Sequence, residues 1–363
     1  MSVGMHPLRL LSAVEQVALH LRRELARGHW VGSLPGAGAL AAELGVNHKT
    51  VEAALQQLEK QGDLTGLGQG RKRCIVAGKG SVARPMRIAL LEYSTVTRNQ
   101  AYVVELHHSL TACGHTVLFA DKCLLELEMD VPRIARFVRQ TQADAWVIFS
   151  GSREVLEWFS AQPVTVFALF GRREGLPIPS AGPDKVPALL AATRSLIGFG
   201  HRRIVVLARR ERRLPEPGAV ERAILEELKA HGLSVSDYNL PDWEESRDGF
   251  HDLLQSLFQT TPPTALIIEG APLFVAAQQF LAEAGLGVPQ QVSLICTDAD
   301  PAFEWCQPTI AHIHWDATPV VRRIVRWAGA VSRGRRDLKQ TLTPAQFVVG
   351  GTIGPVPQTR KGS

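Results

Sequence analysis

A repeated alternation of short apolar runs with amphipathic helical patterns, from residue 86 onwards, is the feature that most constrains how this sequence can fold. Seven runs have the length and apolar content of buried strands: Met86–Glu92, Thr116–Ala120, Ala145–Phe149, Val164–Phe167, Arg203–Leu207, Ala265–Ile268 and Val292–Cys296. Helical patterns lie between them, for example over 99–112, 132–141, 186–199, 217–231 and 272–284. Strands that alternate with helices form parallel sheets with helices on both faces.

This α/β region, residues 86–355, is longer than one doubly wound sheet requires. We therefore expect two similar lobes of parallel strands flanked by helices, with a cleft between them. Open parallel sheets bind their ligands at the carboxyl ends of the strands. The cleft is thus the place where this fold would hold a small molecule.

The first part of the chain carries a different pattern, that of three short helices. Apolar residues follow helical spacing over 14–27, over 38–44 and over 47–62. The turn Gly45-Val46-Asn47 separates the second helix from the third, and Asn47 is a good N-cap. The sequence therefore predicts a tight helix-turn-helix.

A hairpin is predicted to follow these helices. The stretch Leu64–Val76 has the composition of two short strands around a glycine-rich tip, which is typical of a wing. Residues 77–85 are small, polar and turn-forming, as in a linker. The expected organisation is a winged helix-turn-helix over 1–76, a linker over 77–85, a two-lobed domain over 86–355 and a flexible tail over 356–363.

Positive charge is concentrated near the start of the chain. Residues 1–80 hold ten Lys and Arg against six Asp and Glu, which is a net +4 of the +5 carried by the whole chain. A basic excess around a helix-turn-helix favours a polyanionic partner, double-stranded DNA above all. A solvated basic surface without a partner is the alternative.

The sequence lacks the usual motifs of enzymes, metal sites and membrane segments. It has no nucleophile elbow, P-loop or HExxH motif, and no dinucleotide loop between a strand and a helix. Its five cysteines form no CxxC pair, and it has no export signal and no run of 18 apolar residues. We expect a cytoplasmic protein that is not an enzyme, with no catalytic or metal-binding residues, no cofactor and no membrane partner.

The residues expected to touch DNA lie in two places. The first turn of the third helix would enter the major groove, and cations of the wing would enter the minor groove or lie along phosphates. The predicted contacts are Asn47, His48, Lys49, Thr50, Gln69, Arg71, Lys72 and Arg73. Asn47 could instead serve only as an N-cap, and the wing cations only as a solvated charge run.

Residues 14–76 resemble the GntR family of regulators. The resemblance rests on Leu34-Pro35, on residues 40–46 (Leu-Ala-Ala-Glu-Leu-Gly-Val), Thr50-Val51, Ala54-Leu55, Leu58-Glu59 and Gly62, and on Gly68-Gln69-Gly70 in the wing. It implies a winged helix-turn-helix that binds a DNA operator. That family commonly has arginine where this chain has Gly38, His48 and Glu52.

The larger region resembles the sensor domain of the LacI/GalR family, which shares its fold with periplasmic sugar-binding proteins. The stretches that carry the resemblance are 196–204 and 284–295. Asp298 follows the second stretch, where that family has an effector-binding aspartate. The resemblance implies a two-lobed, periplasmic-binding-protein-like domain that senses a small molecule. The chain departs from the family at Gly270-Ala271, where an Asn-Asp pair is usual.

Side chains at the predicted strand ends are the candidates for ligand binding. An aromatic ring could stack on a sugar ring while a carboxylate accepts hydrogen bonds from its hydroxyls. The candidates are Tyr93, Ser94, Phe170, Arg172, Glu269, Asp298, Trp315 and Asp316. Each of them could instead be a packing or surface residue.

Taken together, these features predict a DNA-binding transcription regulator, by default a repressor. A small polar metabolite, such as a sugar, would bind between the lobes and change the affinity for the operator. A homodimer, paired mainly through the α/β region, would place two heads on a palindromic operator. Three alternatives remain open: a C-terminal region that only dimerises, a small-molecule-binding protein without specific DNA recognition, and a transport-type binding protein.

Overall fold

The computed structural model describes residues 12–26, 30, 34–66, 73–75 and 84–356. The helices are α1 (Ala13–Ala26), α2 (Ala37–Leu44), α3 (His48–Lys60), α4 (Ala101–Ala112), α5 (Val131–Gln140), α6 (Arg153–Ala161), α7 (Val186–Gly198), α8 (Arg210–Arg213), α9 (Ala219–Ala230), α10 (Arg247–Thr260), α11 (Ala271–Glu283) and α12 (Thr318–Val331). The strands are β1 (Leu64–Thr65), β2 (Cys74–Ile75), β3 (Arg87–Leu91), β4 (Thr116–Phe119), β5 (Ala145–Phe149), β6 (Thr165–Leu169), β7 (Ser180–Asp184), β8 (Ile204–Leu207), β9 (Ala265–Ile268), β10 (Ser293–Cys296), β11 (Ala311–Trp315) and β12 (Gln340–Val348). No described helix is both long enough and apolar enough to cross a bilayer.

The three N-terminal helices pack around one small core. Leu21 of α1, Leu40 of α2 and Leu55 of α3 are fully buried in it. Gly45 ends α2 in the left-handed conformation (φ 64°), and its N–H bonds to the carbonyl of Ala41. Glycine adopts that conformation without steric cost, so the turn into α3 can be tight. The predicted helix-turn-helix is confirmed.

A short hairpin follows the helices. β1 and β2 pair antiparallel, with Leu64 opposite Ile75. Arg22 of α1 donates from Nε to the buried Asp63 (2.9 Å), which ties the start of the hairpin to the helices. The predicted wing tip, most of the linker and residues 357–363 lie outside the described residues.

The larger region forms a ten-stranded sheet in two lobes that share β12. The strand order is β4-β3-β5-β6-β7-β12-β11-β10-β9-β8, and every pair in it is parallel except β11–β12. The first half of β12 (340–344) pairs with β7, and the second half (345–348) pairs with β11. Pro344 lies where the partner changes, a position that tolerates the absence of a backbone N–H.

Helices cover both faces of each lobe. In the first lobe α4 and α12 pack on one face, and α5 and α6 on the other. In the second lobe α7 and α9 face α10 and α11 across the sheet. α12 follows a strand of the second lobe but inserts the buried Ile324 and Trp327 into the first. The chain thus passes between the lobes at 184–186, at 315–318 and within β12.

The predicted fold class, a helix-turn-helix followed by two lobes of parallel strands with flanking helices, is confirmed. All seven predicted strands form, although the fourth runs on to Leu169. Three further strands, β7, β11 and β12, were not predicted from apolar runs. They lie next to one another where the lobes meet.

Candidate DNA-binding surface and ligand cleft

The first turn of α3 is an exposed polar surface. Asn47, His48 and Lys49 are exposed, and Thr50 is half-buried. The side-chain oxygen of Asn47 accepts a hydrogen bond from the Lys49 N–H (2.9 Å) and so caps the helix. Its amide NH₂ group has no partner among the described residues, so one side chain can cap α3 and still donate outward.

Lys49 is the cation of this turn. Its ammonium group forms no ion pair with any residue in the part of the chain that the structure describes. An unpaired ammonium beside the N-terminus of an exposed helix is suited to phosphate contact, because both the helix dipole and the charge attract anions. The geometry is thus compatible with the predicted DNA contacts of the first turn.

Arg73, by contrast, is engaged by acidic side chains. Its Nη2 lies 2.6 Å from Glu52 and its Nε 2.8 Å from Glu59, while its carbonyl accepts a hydrogen bond from the Leu34 N–H (2.9 Å). The hydrogen bond from Arg73 lowers the pKa of Glu52. Arg73 therefore neutralises the carboxylate that stands on α3 where the GntR family commonly has arginine.

The sequence analysis predicted that Arg73 contacts DNA, whereas in the structure Arg73 pairs with Glu52 and Glu59. Its guanidinium links β2 to α3 and is not free for a phosphate in this conformation. The other three predicted wing contacts, Gln69, Arg71 and Lys72, lie outside the described residues.

Parallel strand ends from both lobes face one cleft. β3 and β6 lead into Tyr93 and Phe170 in the first lobe, and β9 and β10 lead into Glu269 and Asp298 in the second. Trp315 ends β11, which runs parallel to β10. The topology therefore brings most of the predicted ligand residues to the same edge of the sheet.

Three aromatic rings meet in this cleft, and we call them the aromatic cluster: Tyr102, Phe170 and Trp315. Their centroids are 5.6–5.9 Å apart. Phe170 adopts φ 63°, which is uncommon for a residue with a side chain and costs about 1 kcal/mol or more. Such strain persists where the surrounding structure requires it, and here it holds the ring within the cluster.

Tyr102 was not predicted, because it lies in the first turn of α4 and not at a strand end. Its hydroxyl has no hydrogen-bond partner among the described residues. Burial, together with the charges of Asp298 and Glu92, raises the pKa of Tyr102. The hydroxyl therefore stays protonated and is available to a ligand.

Asp298 lies beside Lys185, which follows β7. The Lys185 ammonium is 2.5 Å from Oδ1 of Asp298, and the Thr297 hydroxyl donates to Oδ2 (3.0 Å). About a third of the Asp298 side chain is exposed. Asp298 can thus accept further hydrogen bonds, although part of its charge is already balanced.

Tyr93 connects the two lobes. Its hydroxyl donates to Glu245 (2.6 Å) and lies 3.3 Å from Glu211, and the Arg209 guanidinium stacks over its ring at 4.5 Å. Burial, reinforced by Glu245, raises the pKa of Glu211. This group of side chains couples the end of β3 to α8 and to the segment before α10.

Arg172 makes a second connection between the lobes. It follows β6 in the first lobe and donates from Nε to the carbonyl of Glu211 (2.6 Å) and from Nη2 to the carbonyl of Arg212 (3.2 Å), with a third bond to the carbonyl of Glu216. Its guanidinium is therefore used to bind backbone at the end of α8.

The remaining predicted ligand residues are less central. Glu269 accepts a hydrogen bond from the Arg209 N–H (2.7 Å). Asp316 is exposed and accepts one from the N–H of Thr318 (2.8 Å), the first residue of α12, so its carboxylate is engaged by backbone just before the helix. Ser94 is half-buried and precedes a 3-10 turn without capping it.

The cleft offers aromatic faces, guanidinium donors and carboxylate acceptors. Convergent groups of this kind on an apolar floor suit the binding of a small polar molecule. Across the described parts of the chain, no group of three or more His, Cys, Asp or Glu is placed to hold a metal ion.

Comparison with known protein families finds one match in the N-terminal helical region and one in the later part of the α/β region. Residues 13–71 match the bacterial regulatory proteins of the gntR family. Residues 193–353 match a periplasmic binding protein-like domain. The predicted resemblance to a GntR head and a LacI-type sensor is thus confirmed.

Curated relatives and solved structures extend the comparison. The transcriptional repressor PurR of Pasteurella multocida (strain Pm70) is 27% identical over 139 residues, which span 37% of this chain and 40% of the relative. The regulator AglR of Rhizobium meliloti (strain 1021) is 24% identical over 211 residues, 53% of this chain and 55% of the relative. The chain therefore spans about half the length of these curated relatives.

Two solved structures share the fold at low identity. The transcriptional regulator CelR in complex with cellobiose gives a TM-score of 0.61 at 17% identity, covering 88% of this chain and 100% of that one. A LacI-family regulator from Enterococcus faecium with bound ribose gives 0.58 at 16% identity, covering 74% of this chain and 99% of that one.

Proposed function

This chain joins a gntR-family helix-turn-helix to a periplasmic binding protein-like domain, and from that combination we propose that it is a DNA-binding transcription regulator controlled by a small molecule. The observation that carries the proposal is the exposed first turn of α3, with its unpaired Lys49, on a chain that also has a cleft lined by ligand-type side chains. We assign it no catalytic activity.

The proposed effector is a polar metabolite, such as a sugar, bound between the lobes. The aromatic cluster and Asp298 supply the stacking surface and the acceptor for it. Two structures of similar fold carry cellobiose and ribose, which supports this class of ligand. The relative named a repressor supports repression as the default outcome.

In this proposal residues 1–76 bind DNA, 77–85 link the two parts and 86–355 sense the effector and pair two copies, leaving 356–363 as a tail. A homodimer would present two α3 helices to neighbouring half-sites. The protein acts in the cytoplasm, where its operator is. Operator affinity changes if the effector binds differently to the two arrangements of the lobes, a coupling that typically amounts to about 1–3 kcal/mol.

A salt titration tests the DNA-binding surface. Replacing Lys49→Ala in the full-length protein should weaken binding to duplex DNA and reduce the slope of log K against log salt by about 1, because one phosphate contact is lost. The matched control is Lys229→Ala, since Lys229 is an exposed lysine on α9 of the second lobe. Equal salt slopes for the K49A variant and the unmodified protein, measured by fluorescence anisotropy, would remove α3 from the contact surface.

A further inference from the structure

Arg173 is a guanidinium beside the cleft that has no partner among the residues that the structure describes. It follows Arg172 in the loop after β6 and is only partly exposed. No acceptor in the described parts of the chain takes a hydrogen bond from it, and it forms no ion pair there. Burial lowers the pKa of Arg173, Glu174 opposes this change, and the like charge of Arg212 reinforces it. A partly buried cation without a hydrogen-bonded or ion-paired acceptor is unfavourable, so this position favours an anion.

The other cations around the cleft are all engaged. Lys185 pairs with Asp298, and Arg212 of the second lobe lies 3.0 Å from Glu221. Arg209 stacks on Tyr93, and Arg172 binds backbone carbonyls. Arg173 therefore differs from its neighbours in having its donors available for a molecule from outside the chain.

Arg173 lies next to the aromatic cluster. A Cβ built on Gly182 would lie 3.1 Å from Nη2 of Arg173 and 3.2 Å from Cδ1 of Phe170. The guanidinium and the Phe170 ring therefore lie side by side over the backbone of β7. A molecule seated on the aromatic cluster has an end within reach of Arg173.

We propose that Arg173 binds an anionic group, a phosphate or a carboxylate, on the effector, while the uncharged part of the same molecule packs on the aromatic cluster. This inference rests on the proposed function and narrows its ligand class from polar metabolites to anionic ones. The planar guanidinium fork matches the oxygen spacing of both groups and forms charge-assisted hydrogen bonds with them. The positive charge of Arg212, in the second lobe, repels that of Arg173. An anion bound at Arg173 would reduce this repulsion and would also attract Arg212.

The test is isothermal titration of the full-length protein with matched neutral and anionic probes. The pairs are glucose with glucose 6-phosphate, ribose with ribose 5-phosphate, and galactose with galacturonate, and inorganic phosphate is titrated alone. The anionic member should bind more tightly than its neutral counterpart in at least one pair. The Arg173→Ala variant should weaken that anionic probe by about tenfold or more, since a charge-assisted hydrogen bond is lost, and leave the neutral probe unchanged.

Three variants accompany the test. Arg173→Lys keeps the charge without the fork and should recover part of the affinity. Gly182→Ala keeps Arg173 but crowds both its guanidinium and the Phe170 ring, so it should weaken the anionic probe while the protein stays folded. Arg139→Ala removes an exposed arginine from α5 of the same lobe and should change nothing.

The inference is overturned if neutral probes bind as tightly as their anionic partners, if the R173A variant binds the anionic probe as well as the unmodified protein does, or if no anionic probe binds. Each of these results leaves the regulator proposal standing as long as Lys49→Ala flattens the salt dependence of DNA binding. Anion binding that depends on Arg173, in a protein without DNA binding, would instead overturn the proposed function.

Discussion

At the scale of single residues, whether a side chain is available to a ligand depends more on its hydrogen-bond partners than on its position after a strand. Arg172 and Arg173 are neighbours in one loop, yet the first binds backbone across the cleft and the second has no acceptor in the described ranges of the chain. The sequence analysis named Arg172 as a candidate ligand residue and not Arg173. Both arginines follow the same strand, and the sequence pattern alone does not show which of them is free to bind a ligand. Tyr102 could not be found in that way, since it reaches the cleft from a helix and its ring contacts depend on tertiary packing.

Glu211 gives a prediction at this scale. Because burial raises its pKa, the ionised carboxylate is less favourable in the folded chain than in the unfolded one. The free energy of unfolding therefore falls as pH rises from the ordinary glutamate value through the raised one. Glutamine carries no charge at any pH, so the Glu211→Gln variant does not lose this part of its free energy of unfolding as pH rises. Its melting temperature should therefore exceed that of the unmodified protein at about pH 8 and match it at about pH 4.

The control for this experiment is Glu226→Gln, which changes an exposed glutamate on α9. Differential scanning calorimetry at both pH values measures the difference. If the melting temperature of the Glu211→Gln variant were higher by the same amount at both pH values, the charge of Glu211 would not be the cause of the increase.

At the scale of elements, apolar periodicity predicted the helices of the head and the buried strands of both lobes. It did not predict β7, whose sequence is Ser-Ala-Gly-Pro-Asp, or β12, which contains Pro344. Glycine and proline are depleted in ordinary strands, but these two strands lie where the lobes join and the ladder changes partner. Their formation depends on the neighbouring strands, which a local pattern cannot report.

The first turn of α3 gives the prediction at this scale. Asn47→Ala removes the cap and should cost the helix roughly 1 kcal/mol, whereas Asn47→Asp keeps an acceptor for the Lys49 N–H. Hydrogen exchange of residues 47–60 should therefore be faster in the N47A variant and unchanged in the N47D variant. Both variants should bind DNA more weakly, because the alanine lacks the outward amide and the aspartate repels phosphates.

The N47D variant separates the two roles of Asn47. A protein with normal hydrogen exchange and normal DNA affinity would mean that Asn47 acts only as a helix cap. Lys60→Ala, a change of an exposed residue at the far end of the same helix, is the control.

At the scale of the whole molecule, control of DNA binding by an effector requires coupling between the lobes and the head. The chain joins the lobes at three places, and Tyr93 and Arg172 add side-chain contacts across the cleft. The aromatic cluster packs on the core of the first lobe, but its Trp315 ends β11 of the second lobe, so a ligand proposed to bind there would contact a residue from each lobe. Binding there can change the balance between lobe arrangements, provided its affinity for them differs. The resemblance in the sequence indicated this architecture, but not which side chains connect the lobes.

The most direct test of this account is selection of bound DNA from a random pool by the purified full-length protein, repeated with the matched panel of neutral and anionic sugars. We expect enrichment of a palindromic site, and at least one compound that changes its recovery. The Asp298→Ala variant should select the same site without responding to that compound. Enrichment that no compound alters would contradict a sensor and indicate a C-terminal region that only dimerises. No enrichment under any condition would contradict specific DNA recognition itself.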